Sequence, residues 1–528
     1  MECLRLPLSF GRNAASTAVL ALVLVLPDFA ASQPYESALA AIEGEPLSLD
    51  EAIRRALDLG TASLDADAAL RAASGASRRE RGAFDPILFA ELDVVDENTP
   101  SSSPFTGADV LETKQTAASS GARITLPFGT ELEARLTTTR FETNSSFAAL
   151  DPEYASQARL NLRQPLLKGL GPGTSAERDA AVRQWEAARA RRTDAKLAVV
   201  ANVTATYWDL YAAERDLAVQ QLIVERATVF LNEAEKREAA GLVGPSEVAT
   251  ARVFLAEQQL AELDREERLG ELSDRLASLV GRPPAKWVGR YHPTTEPRSD
   301  FTVESEEALQ ARALESNGEL RAARRELAAA DAARRGAKWN ALPALDVLGS
   351  LGGNGLSGTS QPVSFGEEVT MLEAREGAGP SIEDAIGGEH PRWSVGVLLE
   401  FPLGLREGSG ERERLAAEVA RAEQRVIEIE RGIQEEVRAR HRELTHGVRR
   451  LELAQLGVEA SSEQVRVGQI EYENGRSTAF ELVRLGADLA AAQERYSSAL
   501  VATAKAAAEL ERLAPSAESL VRWEEGSR

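Results

Sequence analysis

The 528-residue chain has one cysteine, Cys3, and two methionines, and only 5% of its residues are aromatic. Cys3 precedes the first apolar run, so it cannot become a lipidated first residue after removal of a leader, and the mature chain is left without a disulfide or thiolate metal site. No stretch approaches the roughly 20 apolar residues that a helix needs to cross a bilayer. Few aromatics beside abundant alanine suit long packed helices better than several thick cores. Positive charge is also scarce. The 61 Lys and Arg against 83 Asp and Glu give a formal net charge of −22. That balance excludes nucleic acid as a partner, because phosphate binding needs a basic surface. An acidic surface that keeps an exported protein soluble accounts for it.

Catalytic signatures are missing too. The histidines are His292, His390, His441 and His446, the last two five residues apart and off a common helix face, without HExxH or Cys/His ligand spacing. No glycine loop for phosphate precedes a helix, and no G-x-S-x-G nucleophile turn occurs. Neither enzyme activity, nor a cofactor, nor a metal is expected.

What is present begins with Arg5 and Arg12, an apolar core from Ala18 to Leu26, and the small residues Ala30, Ala31 and Ser32. This is the pattern of a secretory signal peptide over 1–32. Between Thr174 and Ala240 there is neither glycine nor proline, and at about 1.5 Å per residue a helix of that length approaches ~100 Å. A second proline-free stretch runs from Glu411 to Asn474. In the first, Val203, Tyr207, Leu210, Leu217, Val224 and Leu231 recur at helical spacing, which predicts one buried stripe.

Internal comparison shows a duplication. Leu49-Asp50-Glu51-Ala52-Ile53 returns as Ser305-Glu306-Glu307-Ala308-Leu309. Pro86-Ile87-Leu88-Phe89-Ala90 matches Pro343-Ala344-Leu345-Asp346-Val347, and the strand ending in Gln164-Pro165-Leu166 matches the one ending in Phe401-Pro402-Leu403. Each long helix then ends at a glycine, Gly241 or Gly475, and Ser246 and Thr478 are available to cap the returning helix. Each half is therefore a short helix, a β excursion, a long helix, a tight turn and a return helix. The organisation is a first repeat over 33–280, a linker over 281–303 with four prolines, a second repeat over 304–514 and a tail over 515–528.

The β excursions alternate. Ala158, Leu160 and Leu162 oppose Arg159, Asn161 and Arg163, while Trp393, Val395, Val397 and Leu399 oppose Ser394 and Gly396. Half-buried soluble sheets also alternate, but with a signal peptide and no apolar helix the pattern points to an outer-membrane barrel. The better strands lie near 87–95, 157–164, 344–351 and 393–400. Four strands close no barrel and open edges are not tolerated in lipid, so several chains must share one. A further hairpin, Gly121–Leu126 with Glu131–Thr139, either extends the barrel or covers its mouth, and the Gly, Ser and Pro-rich insertion from Gly352 to Pro391 reads as a surface loop. Trp393, at a strand start, fits an anchor at a lipid interface or an ordinary buried tryptophan.

In the order and duplication of these marks, with Leu279-Val280-Gly281-Arg282-Pro283 closing the first half, the chain resembles the TolC family of outer-membrane efflux proteins from Leu47 to Leu513. The resemblance implies an α+β membrane protein: a homotrimer sharing one twelve-strand barrel in outer-membrane lipid, with a long periplasmic α-helical barrel. It implies passive export, docking to a periplasmic adaptor, and energy supplied by an inner-membrane pump or ABC exporter. Carried over residue by residue, Gly241, Leu242, Val243, Gly475 and Arg476 match the adaptor-docking turns. Glu481 holds a place where the family rings its periplasmic aperture with acids, and Arg484 stands where the next acid would be. A mixed Glu481 and Arg484 gate and a solvated helix face are both open readings. The rival classes are a secreted coiled-coil scaffold and an adaptor-like periplasmic protein.

Overall fold

The computed structural model describes residues 35, 37–102, 106–281, 289–365, 368–474 and 476–517. The expected leader and Gly475 lie outside the described residues, as do residues 282–288 of the linker and the end of the tail. Two compact units make up the chain. One comprises Glu45–Tyr211, Glu271–Gly457 and the segment after Glu494; the other comprises Ala212–Gly270 and Val458–Glu494 with the residues ahead of Glu45.

The larger unit opens with β1 (Glu45–Leu47), α1 (Leu49–Leu59) and α2 (Thr61–Arg81). Ser48 caps α1, its hydroxyl accepting from the Glu51 amide at 3.3 Å. The second half repeats the device: Ser305 accepts from the Ala308 amide at the start of α5 (Glu306–Ser316). Asn317 then caps α6 (Gly318–Asn340) through the Leu320 amide. Each cap satisfies an amide that the first turn of a helix leaves without an internal partner.

The long helices are α3 (Pro172–Ala239) and α8 (Arg406–Glu473), each of 68 residues, and the return helices are α4 (Pro245–Leu279) and α9 (Ala479–Leu513), each of 35. The predicted stripe of α3 is buried at Val203, Tyr207, Leu210 and Leu217, but Val224 and Leu231 are only half buried and Ala227, Phe230 and Ala234 replace them. A strict seven-residue spacing drifts by about 20° per repeat on a straight 3.6-residue helix, so the buried line moves to the neighbouring positions.

In the larger unit, Leu309 of α5, Leu320 of α6, Val437 and Leu444 of α8, and Leu510 and Leu513 of α9 form one core. β1 forms a parallel pair with β6 (Tyr291–Pro293), in which Glu45 faces Tyr291. Tyr207 of α3 fastens this pair: its buried hydroxyl donates to the Leu47 carbonyl at 2.8 Å and accepts from the Thr295 amide at 2.9 Å.

The β excursions join into one antiparallel sheet of six strands: β2 (Ile87–Pro100), β3 (Val110–Thr125), β4 (Glu131–Thr143), β5 (Leu150–Pro165), β7 (Ala344–Ser360) and β10 (His390–Glu400), in the order β10-β7-β5-β4-β3-β2. The hairpin left open by the sequence is β3 and β4, and it lies within this sheet between β2 and β5. The Gly352–Pro391 insertion is not one surface loop. Its first part continues β7 to Ser360, the short β8 (Val363–Phe365) and β9 (Glu368–Thr370) pair with each other, and α7 (Ala378–Gly387) packs back on β7 and β5. Glycine-rich sequence suggested a loop, but here it permits contact: a Cβ at Gly355 would fall 1.9 Å from the Ser381 carbonyl oxygen of α7.

Replacing Tyr207 with Phe leaves the half-buried Thr295 amide without its partner and the Leu47 carbonyl with only the Thr294 amide, at a cost of about 1 kcal/mol. The expected result is a lower melting temperature in detergent, measured by circular dichroism, with the helical content of the folded protein unchanged.

Candidate functional site

In an antiparallel pair, directly opposed residues share a face, so the register sorts the six strands into two surfaces. One carries Leu88, Ala90, Leu92 and Val94 of β2, then Ile124, Ala122, Ser120 and Ala118 of β3 and Leu132, Ala134, Leu136 and Thr138 of β4. It continues through Leu162, Leu160 and Ala158 of β5 and Leu345, Val347 and Leu351 of β7 to Leu399, Val397, Val395 and Trp393 of β10. No charged residue occurs in this band. Its side chains are exposed or half buried, with Leu88 81% exposed and Trp393 73%, and α7 packs on the same face just past the band, over Gly353 and Gly355. Asp96, Lys114, Arg140 and Glu142 appear on this face only beyond the band.

The opposite face holds the charges of the band beside a few apolar side chains such as Phe89 and Leu348. Arg135 of β4 lies over the Phe89 ring, 4.7 Å from its centroid, and reaches Glu91 of β2 at 3.9 Å. Arg163 of β5 meets Glu131 of β4 at 3.2 Å and the fully buried Asp346 of β7 at 2.7 Å. The alternation expected of residues 158–164 and 393–400 thus extends across the whole sheet. Trp393 lies on the charge-free face opposite Leu351, three residues from the start of β10, and is not a buried tryptophan in the single chain.

The smaller unit contains the helix turns. α3 stops where Gly241 takes φ +71°, with the Leu242 amide bonded to the Arg237 carbonyl and the Gly241 amide to Glu238. That pair of bonds is a Schellman ending, which requires a left-handed residue best supplied by glycine. At the second turn the Arg476 amide bonds to the Glu471 carbonyl with the same offset. Leu242 is 72% exposed, Val243 half buried and Arg476 exposed. Phe230, Ala234, Val248 and Ala251 form a small core against which Leu231 and Val483 pack, so α9 begins beside the first turn.

Glu481 and Arg484 flank Val483 and both are exposed. The Glu481 amide is capped by Thr478 Oγ at 3.2 Å, and its carboxylate accepts from Ser477 Oγ at 3.3 Å. Among the described residues Glu481 and Arg484 form no ion pair with each other within the chain.

One group in this unit escaped the sequence reading. Asp216 of α3 sits where burial, then Glu494 of α9, push its carboxyl up to about 7, with Arg265 of α4 opposing them. Arg265 itself reaches Glu494 at 3.3 Å. Only the helix packing brings these residues together, and no local motif marks them. Elsewhere, no described helix is long and apolar enough to cross a membrane. Among the described residues no three His, Cys, Asp or Glu side chains group as metal ligands.

The Asp216 carboxyl would titrate near 3.9 in the unfolded chain. Between about pH 4 and pH 7 the folded form therefore holds a proton that the unfolded form releases, and this group's contribution to stability falls as pH rises across that window. Urea midpoints at pH 5 and pH 8 should differ less in Asp216→Asn than in the wild type.

Three comparisons with known proteins fit this geometry. The family model described as outer membrane efflux protein matches residues 132–282. The pyoverdine export outer membrane protein OpmQ of Pseudomonas putida is 31% identical over 111 residues, 21% of this chain and 24% of that relative's length. The outer-membrane channel OprN superposes with a TM-score of 0.61 at 16% identity, covering 88% of this chain and 89% of its own. VceC of Vibrio cholerae superposes with a TM-score of 0.59 at 15% identity, covering 88% and 95%. The fold is that of TolC-type outer-membrane channels.

Proposed function

We propose that this chain, which carries the outer membrane efflux protein domain on a TolC-type fold, is the outer-membrane channel subunit of a tripartite efflux or type I secretion system. The observation that supports this most is the exposed, charge-free face that spans all six strands with the charges behind it. Lipid accepts such a face, whereas in water a contiguous apolar surface of this breadth drives aggregation. A secreted coiled-coil scaffold has no use for it.

Channels of this family are trimeric and work with adaptors and inner-membrane pumps. In this reading three copies place their apolar bands in the outer membrane and extend their helices into the periplasm. Trp393 anchors the band at one lipid interface, where an amphipathic ring is favoured. Transport is passive; a pump engaged through the adaptor supplies energy, and the chain catalyses no reaction.

The exposed Leu242 with Val243, and Gly475 with Arg476 at the second turn, form the adaptor contact. Apolar side chains grouped on a turn favour a partner's surface over water. Substituting Leu242 and Val243 with Asp should abolish co-purification of the adaptor and export. Outer-membrane assembly should be kept, because neither side chain supports the small core. Co-purification unchanged in this variant would remove the docking assignment.

A three-fold axis brings Glu481 side chains toward one another, and Arg484 one turn later relieves that repulsion by pairing across copies. Both side chains are free of ion pairs to each other in the single chain, as such pairing requires. In planar bilayers, Glu481→Ala with Arg484→Ala should raise single-channel conductance severalfold. Unchanged conductance would leave the channel in place and discard the gate.

A further inference from the structure

The inserted hairpin β3–β4 is a full part of the sheet. Its register is continuous with β2 from Ile87 opposite Arg123 to Pro100 opposite Val110, and with β5 from Glu131 opposite Arg163 to Phe141 opposite Glu153. Its outward residues, Ala118, Ser120 and Ala122 on β3 and Leu132, Ala134 and Leu136 on β4, carry no charge and sit level with the apolar residues of the flanking strands. On the other face, ion pairs run from the hairpin to both sides: Arg135 to Glu91 of β2, and Glu131 to Arg163 of β5. A hairpin folded over the mouth as a cover would need neither a charge-free outward band nor ion pairs in line with those of its neighbours.

The two edges of the sheet are β2 and β10. Every residue of β10 is exposed, as is every residue of β2 except the half-buried Phe89. The strands alternate in direction across the sheet, so β2 and β10 run oppositely. A β10 edge can therefore add antiparallel to the β2 edge of a second copy. Because these are different surfaces of one chain, the contact is head-to-tail and repeats until the ring closes.

We propose that three copies close these sheets into one barrel of eighteen strands, β10 of each paired with β2 of the next, in which the hairpin β3–β4 widens the pore. This rests on the channel reading above and departs from the twelve strands that the resemblance implied. With strands ~4.8 Å apart and tilted by ~40°, eighteen strands give a backbone diameter of about 36 Å, against about 24 Å for twelve. At eighteen strands the interior is an aqueous channel instead of a space filled by side chains. Its wall presents both signs of charge, including Glu91, Asp93, Glu133, Arg135 and Arg159, and suits bulky polar solutes.

The test is electron cryomicroscopy of the full chain, extracted from outer membranes and placed in lipid nanodiscs. It is imaged beside a variant in which residues 101–149 are replaced by a short turn joining Pro100 to Leu150. Those two residues are ends of oppositely directed strands, so the variant can form the four-strand sheet. The expected result is a ring of three copies with eighteen strands for the wild type and a narrower ring of twelve for the variant. A wild-type ring of three copies with twelve strands, its hairpin folded away from the sheet, overturns this inference and leaves the channel reading standing. A protein that forms no ring overturns both. The wild-type strand count decides the matter even if the variant does not fold.

Discussion

The backbone hydrogen-bonding groups on the outer edges of β2 and β10 govern the rest of the molecule. Every other strand of the six-strand sheet is paired on both sides, and these two are paired on one. In water such edges invite aggregation, and in hydrocarbon each unpaired amide or carbonyl costs several kcal/mol. The sheet's charge-free face makes water the wrong solvent and its edges make lipid the wrong solvent for a single copy. The proposed closure with further copies would satisfy both demands. It would turn the apolar band outward and enclose Arg135, Arg163 and their carboxylate partners.

The helical parts carry the same devices twice. Ser48 and Ser305 begin helices with equivalent caps, and the Leu242 and Arg476 amides each reach back five residues to a carbonyl of the long helix before them. One contact has no counterpart in this scheme: Tyr207 reads the Leu47 carbonyl and the Thr295 amide and so holds β1 beside β6.

Much of this was legible in the sequence, because periodicity and punctuation are local. Alternation in residues 158–164 and 393–400, the uninterrupted run from Thr174 to Ala240, and Gly241 as a stop each reflect backbone geometry within a few residues. The stripe on α3 was legible to Leu217 and then drifted, since a seven-residue spacing and a 3.6-residue helix part company with distance. One further reading was left open and one was wrong. β3 and β4 mix Ala, Ser and Thr with Ile124, Leu132 and Leu136 on their outward face, too weak a contrast to settle their place without the register. The glycines of β7 resembled a loop until α7 was seen against them. Asp216, Arg265 and Glu494 lie on three different helices and could be associated only by packing.

The most direct measurement of the central claim, that the sheet exists only as part of a wall shared between copies in the outer membrane, is electrophoresis of the protein from separated membrane fractions in dodecyl sulfate, with and without boiling. The expected result is outer-membrane recovery and an unboiled species of three chains that collapses to one chain on heating. A protein recovered in the soluble fraction that migrates as one chain at both temperatures would contradict it.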